Sequence, residues 1–329
     1  MIVIYRPGTT GEGAPCLDRR ILAPGRPIPA EAVWIDLLDP TRDEDKLVEQ
    51  HLNIEVPTRE DTDYIEPSEL IYAEDGARFM TTRLLYKVDS DPELTSVTFI
   101  LKDGVAVTVR YGEPKAFDIF ANRAAKPNGC GLTAEQVMAG LMDTIIDRAA
   151  EVLQQVAENI DHISKMVFEH KADPGKRNAE YEQILQRLGR YGDLISKSRE
   201  SLLSIERVLL SLSVAYRATR VSVALREEVR TTLRDLQSLE EHASFQTNKI
   251  QFLLDATLGL VNIEQNNIIK LFSVMAVVFM PPTLIASIYG MNFKFMPELE
   301  WQLGYPMALS MMVFAAIAPY FFFRWKKWL

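Results

Sequence analysis

Two uncharged stretches near the C-terminus limit what this chain of 329 residues can fold into more than any other feature. Between Lys270 and Lys294 lie 23 residues without a formal charge, and between Glu300 and Arg324 lie another 23. About 20 mostly apolar residues carry a helix across a bilayer core, and core helices of soluble proteins rarely run that far uncharged. Two spans are therefore expected, at residues 271–291 and 301–323, joined by an outer, periplasmic loop at 292–300. Tyr289, Trp301 and Tyr305 flank that loop, and Tyr320, Trp325 and Trp328 mark the far end. Such rings anchor helices at the membrane interface. Arg324, Lys326 and Lys327 crowd the far end. The positive-inside rule then puts the C-terminus in the cytoplasm of an inner membrane, and two spans return the N-terminus to the same side.

Charge divides the chain in the same place. The whole carries 36 Lys and Arg against 45 Asp and Glu, a net −9. Residues 271–329 hold four basic and two acidic side chains, so the first 270 carry −11. An acidic domain is a poor match for nucleic acid, which needs a basic patch, and suits a cationic partner. Cys16 and Cys130 are too far apart for a CxxC pair or a disulfide framework. The histidines at 51, 162, 170 and 242 lack zinc-site spacing. No signal peptide is read at the N-terminus, where Pro7 and Gly8 follow a short apolar run. The first part is expected to be cytosolic and reduced.

The first span is not a plain anchor. Asn266, Ile269, Ser273, Ala276, Met280, Thr283 and Ser287 recur at steps of three or four. That is one helical face of mixed amide, hydroxyl, sulfur and methyl groups. Such a face suits a wet pore lining, and equally a helix–helix contact. A pore would need a ring of chains. Pro281 and Pro282 each remove a backbone donor within the span, which predicts a kink.

Proline is absent from residues 128–173 and again from 175–280, which predicts long helices with a turn near 172–175 and a second break near 211–219. The last helix is expected to run from about 221 to 280, roughly 90 Å at 1.5 Å per residue. Most of it is a cytosolic stalk. Its seam of Val229, Thr232, Leu236, Leu239, Ala243, Gln246, Ile250, Leu253, Thr257 and Leu260 alternates by three and four. Upstream, β-branched and aromatic runs predict strands at 1–6, 32–38, 70–73, 78–88, 97–102 and 106–111, with Asp103-Gly104 as a hairpin turn. Helices are expected at 42–52, 59–65 and 115–124. The resulting fold class is an α+β membrane protein: an α/β cytosolic domain over 1–127, a helical and stalk region over 128–270, and a two-helix membrane domain over 271–329. There is no GxGxxG, no P-loop and no catalytic constellation, so no enzyme is expected.

Tyr289-Gly-Met-Asn-Phe293 closes the first span. A GMN triplet at the outer end of the first of two terminal spans, followed by a short acidic loop, a second span and a basic tail, resembles the CorA family of divalent-cation channels. Val278-Phe-Met-Pro-Pro-Thr283, Met296-Pro-Glu-Leu299, Gly304-Tyr-Pro306 and Lys327-Trp-Leu329 extend the match, nearest the proteobacterial magnesium/cobalt branch. The resemblance implies a homopentameric funnel in the bilayer that imports Mg²⁺, with Co²⁺ and Ni²⁺ as further cargo, gated by cytosolic Mg²⁺. The family's selectivity filter falls on Gly290, Met291 and Asn292, and its pore lining on Asn266, Ile269, Phe272, Ala276, Met280 and Thr283. One turn differs from the periodic stripe, which selects Ser273 where the family pattern selects Phe272. Glu298 and Glu300 would gather cations at the mouth. Asp255 matches a stalk aspartate used for sensing Mg²⁺, Thr231 stands where a second acid is usual, and Asp89 and Asp91 lie in an acidic hairpin that could face the stalk. A related zinc transporter, with or without proton coupling, is the alternative; the MPEL loop favours magnesium. No organic cofactor is implied.

Overall fold

The computed structural model describes residues 1–9, 13–64, 70–169, 177–218, 221–292, 296–297 and 301–326. They form two compact units: residues 1–174 with 182–254, and residues 175–181 with 255–329.

The first unit is built on a seven-stranded sheet of order β2-β1-β3-β7-β6-β5-β4. Its strands are β1 (Ile2–Thr9), β2 (Pro15–Ile21), β3 (Trp34–Leu38), β4 (Ile71–Glu74), β5 (Ala77–Tyr86), β6 (Glu93–Lys102) and β7 (Val105–Arg110). Only β3 and β7 pair in parallel; the other neighbours are antiparallel. The helices α1 (Arg42–Leu52), α2 (Arg59–Tyr64) and α3 (Lys115–Ala124) match the helices expected at 42–52, 59–65 and 115–124 closely.

Alternation along each strand supplies two cores. Ile35 and Leu37 of β3 join Ile2, Ile4, Val107 and Val109 under Val48 and Leu52 of α1. Trp34 and Asp36 point the other way. There Trp34 stacks on Tyr5 at 4.0 Å and meets Phe120 of α3 edge-on at 5.5 Å. Every residue of β7 is buried, as a strand covered on both faces requires. That covering also encloses an ion pair. Arg110 Nη2 lies 2.8 Å from Asp36 Oδ2, Thr108 Oγ1 donates to Asp36 Oδ1 at 2.7 Å, and Trp34 Nε1 donates to Thr108 Oγ1 at 3.0 Å. A pair this deep persists because its oxygens are hydrogen-bonded; removing one partner of such a pair costs about 3–5 kcal/mol.

The Asp103-Gly104 turn joins β6 to β7, with φ of 48° and 79°. Positive φ at both centres is what a two-residue turn matched to strand twist demands. β2 was not expected. Its Asp18, Arg19 and Arg20 mask any apolar alternation, and its place at the sheet edge explains them. Asp18 there bridges Arg6 and Arg20 at 3.1 and 3.0 Å.

Three long helices follow: α4 (Ala134–Glu169), α5 (Arg177–Ala218) and α6 (Val223–Tyr289). The break expected near 211–219 comes at the end of that range: α5 runs to Ala218 and α6 opens at Val223. Within the first unit α5 lies against β5: Thr82 Oγ1 and Ser204 Oγ share a hydrogen bond, and Arg83 Nη1 pairs with Glu200. Lys249 of α6 pairs with Asp161 of α4. The heptad seam of α6 is buried at Val229, Thr232, Leu236, Ala243, Gln246, Ile250, Leu253 and Thr257, while Leu239 and Leu260 are half-buried. α7 (Gly304–Trp325) completes the second unit.

Candidate functional site

α6 corrects one expectation. It does not stop near residue 280 but carries Pro281 and Pro282 within it and ends at Tyr289. Neither proline can donate to the carbonyl four residues back, so Val277 and Val278 lose their helical partners. At 100° per residue Pro281 and Pro282 lie 100° and 200° round from Met280, outside the arc of the polar stripe. The weakened side of the helix is therefore not the striped one.

The stripe is open along its length. Ile269, Phe272 and Met280 are 60%, 63% and 69% exposed, and Asn266, Ala276, Thr283 and Ser287 are exposed too. Ser273 Oγ donates to the Ile269 carbonyl at 2.8 Å and Thr283 Oγ1 to the Phe279 carbonyl at 2.7 Å. Both hydroxyls thus satisfy their protons on their own helix and keep lone pairs turned outward. Phe272 and Ser273 are both exposed, one residue apart round the helix.

At the end of the stripe the chain leaves the helix. The Gly290 amide donates to Ala286 O at 3.0 Å and the Met291 amide to Ile288 O at 3.2 Å. A Cβ on residue 290 would sit 3.1 Å from Ala286 O, so glycine lets the chain close tightly over the last turn. Met291 and Asn292 follow outside the helix, both exposed. Glu298 and Glu300 lie outside the described residues.

The sensing candidates are held apart in kind. Asp89 and Asp91 sit in the β5–β6 connection of the first unit. Lys115 Nζ pairs with the Asp89 carboxylate and holds its pKa below the usual carboxylate range. Asp255 is exposed on α6 in the second unit. Among the described residues no three His, Cys, Asp or Glu side chains gather where a metal ion could sit. Acid does crowd elsewhere in the first unit. Asp143 of α4 has its pKa raised by burial first and then by Asp147 and Asp235, and Glu228 of α6 by burial and then by Asp143. Sequence reading did not single these out, since they converge from different helices. Nor did it find the pair between Arg177 and Glu264, 87 residues apart, at 3.1 Å in the second unit.

Two helices, α6 and α7, are long and apolar enough to cross a membrane. Their most apolar windows are 0% and 6% buried, which a soluble core helix would not tolerate. An α/β domain with long helices, ending in two exposed apolar helices of which the first bears a polar stripe, is the architecture of a membrane protein with a large domain outside the bilayer. The family model described as "CorA-like Mg2+ transporter protein" matches residues 29–327. The chain belongs to this family, which is one of transporters and not of enzymes. It is 36% identical over 299 residues to the magnesium transport protein CorA of Escherichia coli K12, covering 91% of this chain and 92% of that one. It is 35% identical over 301 residues to that of Yersinia pseudotuberculosis, covering 91% and 93%. The fold matches the complete CorA magnesium transporter of Methanocaldococcus jannaschii with a TM-score of 0.73 at 16% identity, covering 98% and 97% of the two chains.

Proposed function

We propose that the chain is a homopentameric channel of the inner membrane that imports Mg²⁺, and also Co²⁺ and Ni²⁺, down the electrochemical gradient, with both termini cytoplasmic. The observation that carries this reading is the open polar stripe of α6, running into Gly290-Met291-Asn292 in a chain of a Mg²⁺ transporter family. One helix cannot enclose a path, so an exposed stripe on a membrane helix calls for copies of itself round an axis. Asn266, Ile269, Phe272, Ala276, Met280 and Thr283 then line the pore, with Phe272 and Met280 as its apolar constriction. Gly290, Met291 and Asn292 form the filter, and Glu298 and Glu300 raise the cation concentration at its mouth.

The chemistry suits the ion. Mg²⁺ dehydrates reluctantly. A ring of neutral Asn292 amides hydrogen-bonds its water shell without stripping it, where a ring of carboxylates would hold it too long for conduction. Cytosolic Mg²⁺ closes the pore through acids between protomers, with Asp255, Asp89 and Asp91 as candidates. For Asp89 the ion must displace Lys115.

Asn292→Ala is expected to abolish growth of a magnesium-uptake-deficient strain on limiting Mg²⁺ while protein level in the membrane stays at that of the parent. Growth equal to the parent would rule out the filter. Uptake into liposomes measured separately for Mg²⁺, Co²⁺, Ni²⁺ and Zn²⁺ at varied pH fixes the cargo.

A further inference from the structure

We propose that Arg177 and Glu264 form a latch that sets the position of the pore-lining part of α6, and with it the cytosolic Mg²⁺ level at which transport stops. This rests on the reading of α6 as the pore helix. Arg177 opens α5, and Glu264 lies in α6 two residues before Asn266. Their side chains are 34% and 17% exposed, against 60% and 63% for the surface bridge of Lys115 to Asp89. The pair is therefore better shielded from water and salt than an ordinary surface bridge.

Two further observations single it out. The start of α5, residues 177–181, groups with residues 255–329, whereas the rest of α5 groups with the first unit. So α5 starts in the body that holds the membrane helices and leaves it within a few residues. Second, an arginine in the first helical turn faces the positive end of the helix dipole, which is unfavourable. The Glu264 carboxylate compensates both the guanidinium and the dipole. A movement of α6 at its entry to the stripe must break or re-aim this contact, and a half-buried pair resists that because the Glu264 carboxylate, 17% exposed, would lose the guanidinium that faces it away from bulk water.

The test uses the full chain in liposomes holding a Mg²⁺ indicator, with influx read against internal Mg²⁺. Arg177→Glu and Glu264→Arg are each expected to shift the half-inhibiting internal Mg²⁺ concentration in the same direction, by about fivefold or more. The double exchange is expected to restore the parent's value. Single variants that behave as the parent, or an exchange as displaced as the singles, would overturn the latch. Because a reversed charge can block folding, Arg177→Gln and Glu264→Gln are followed by hydrogen exchange of the amides from Tyr181 onward in detergent. Faster exchange in both supports the contact, and unchanged exchange overturns it whatever the flux. A parent chain that carries no Mg²⁺ overturns the transport reading, and the gating role with it. Exchange still reports the contact then, so the two failures are told apart.

Discussion

Asp45 shows how a single carboxylate sets a pH dependence. It is the fourth residue of α1, behind the capping box of Thr41 and Glu44, in which the Thr41 amide donates to Glu44 Oε2 at 2.8 Å. Its Oδ1 is buried with no hydrogen-bond partner among the described residues. Burial, then the neighbouring Glu49 and Glu44, push its pKa up from 3.8 to about 6, against the pull of Arg42. A folded pKa above the unfolded one means that folding favours the protonated acid. Its stabilising contribution is full below about pH 4 and is lost as pH rises through about 6. Asp45→Asn is therefore expected to raise the melting temperature of the detergent-solubilised protein at neutral pH, with a gain that vanishes as pH falls through that window. Parallel pH curves for the two proteins would refute this. Asp89 is the opposite case, since Lys115 keeps it ionised.

At the scale of elements, legibility followed the physics of burial. Strand β3 showed in the sequence because it is an apolar run covered on both faces, and helices α1 and α3 because one periodic face of each meets a core. The heptad seam of α6 showed for the same reason, and eight of its ten positions are buried. β2 did not show, because an edge strand satisfies itself with backbone pairing and charged side chains. The open stripe was legible as a period, but its choice between Phe272 and Ser273 was not, since one chain leaves both exposed. The Arg177–Glu264 pair was invisible because no local pattern joins residues 87 apart. The expected end of α6 near 280 failed for a nameable reason. A proline pair removes two donors but need not stop a membrane helix, because neighbouring helices, hydroxyl side chains or water can satisfy the freed carbonyls. Those carbonyls, on Val277 and Val278, make a soft point beside Met280, ahead of the proposed filter. Pro281→Ala with Pro282→Ala restores both donors. It is expected to lower Mg²⁺ influx severalfold with membrane insertion unchanged, measured in liposomes at fixed internal Mg²⁺. Influx equal to the parent would remove any role for the soft point.

For the whole molecule, the division of charge decides what drives the ion. Residues 1–270 carry −11 and residues 271–329 carry +2. The membrane helices α6 and α7 therefore offer a divalent ion no counter-charge within their uncharged stretches, which is why the proposed path relies on neutral amides and hydroxyls. A pathway of this kind stores no energy in the protein. In the proposed channel the drive is the potential across the bilayer, about 2.3 kcal/mol per elementary charge per 100 mV, hence about 4.6 kcal/mol for Mg²⁺. That is more than a thousandfold in equilibrium accumulation, enough without a nucleotide site, and the sequence carries no P-loop. Initial Mg²⁺ uptake into liposomes is accordingly expected to rise with an inside-negative potential set by a potassium gradient and valinomycin. It is expected to fall to the concentration-driven rate when that potential is collapsed. Nucleotide added inside is expected to change neither rate. Uptake that ignores the potential, or that needs nucleotide, would mean that α6 carries something other than a hydrated cation down its own gradient.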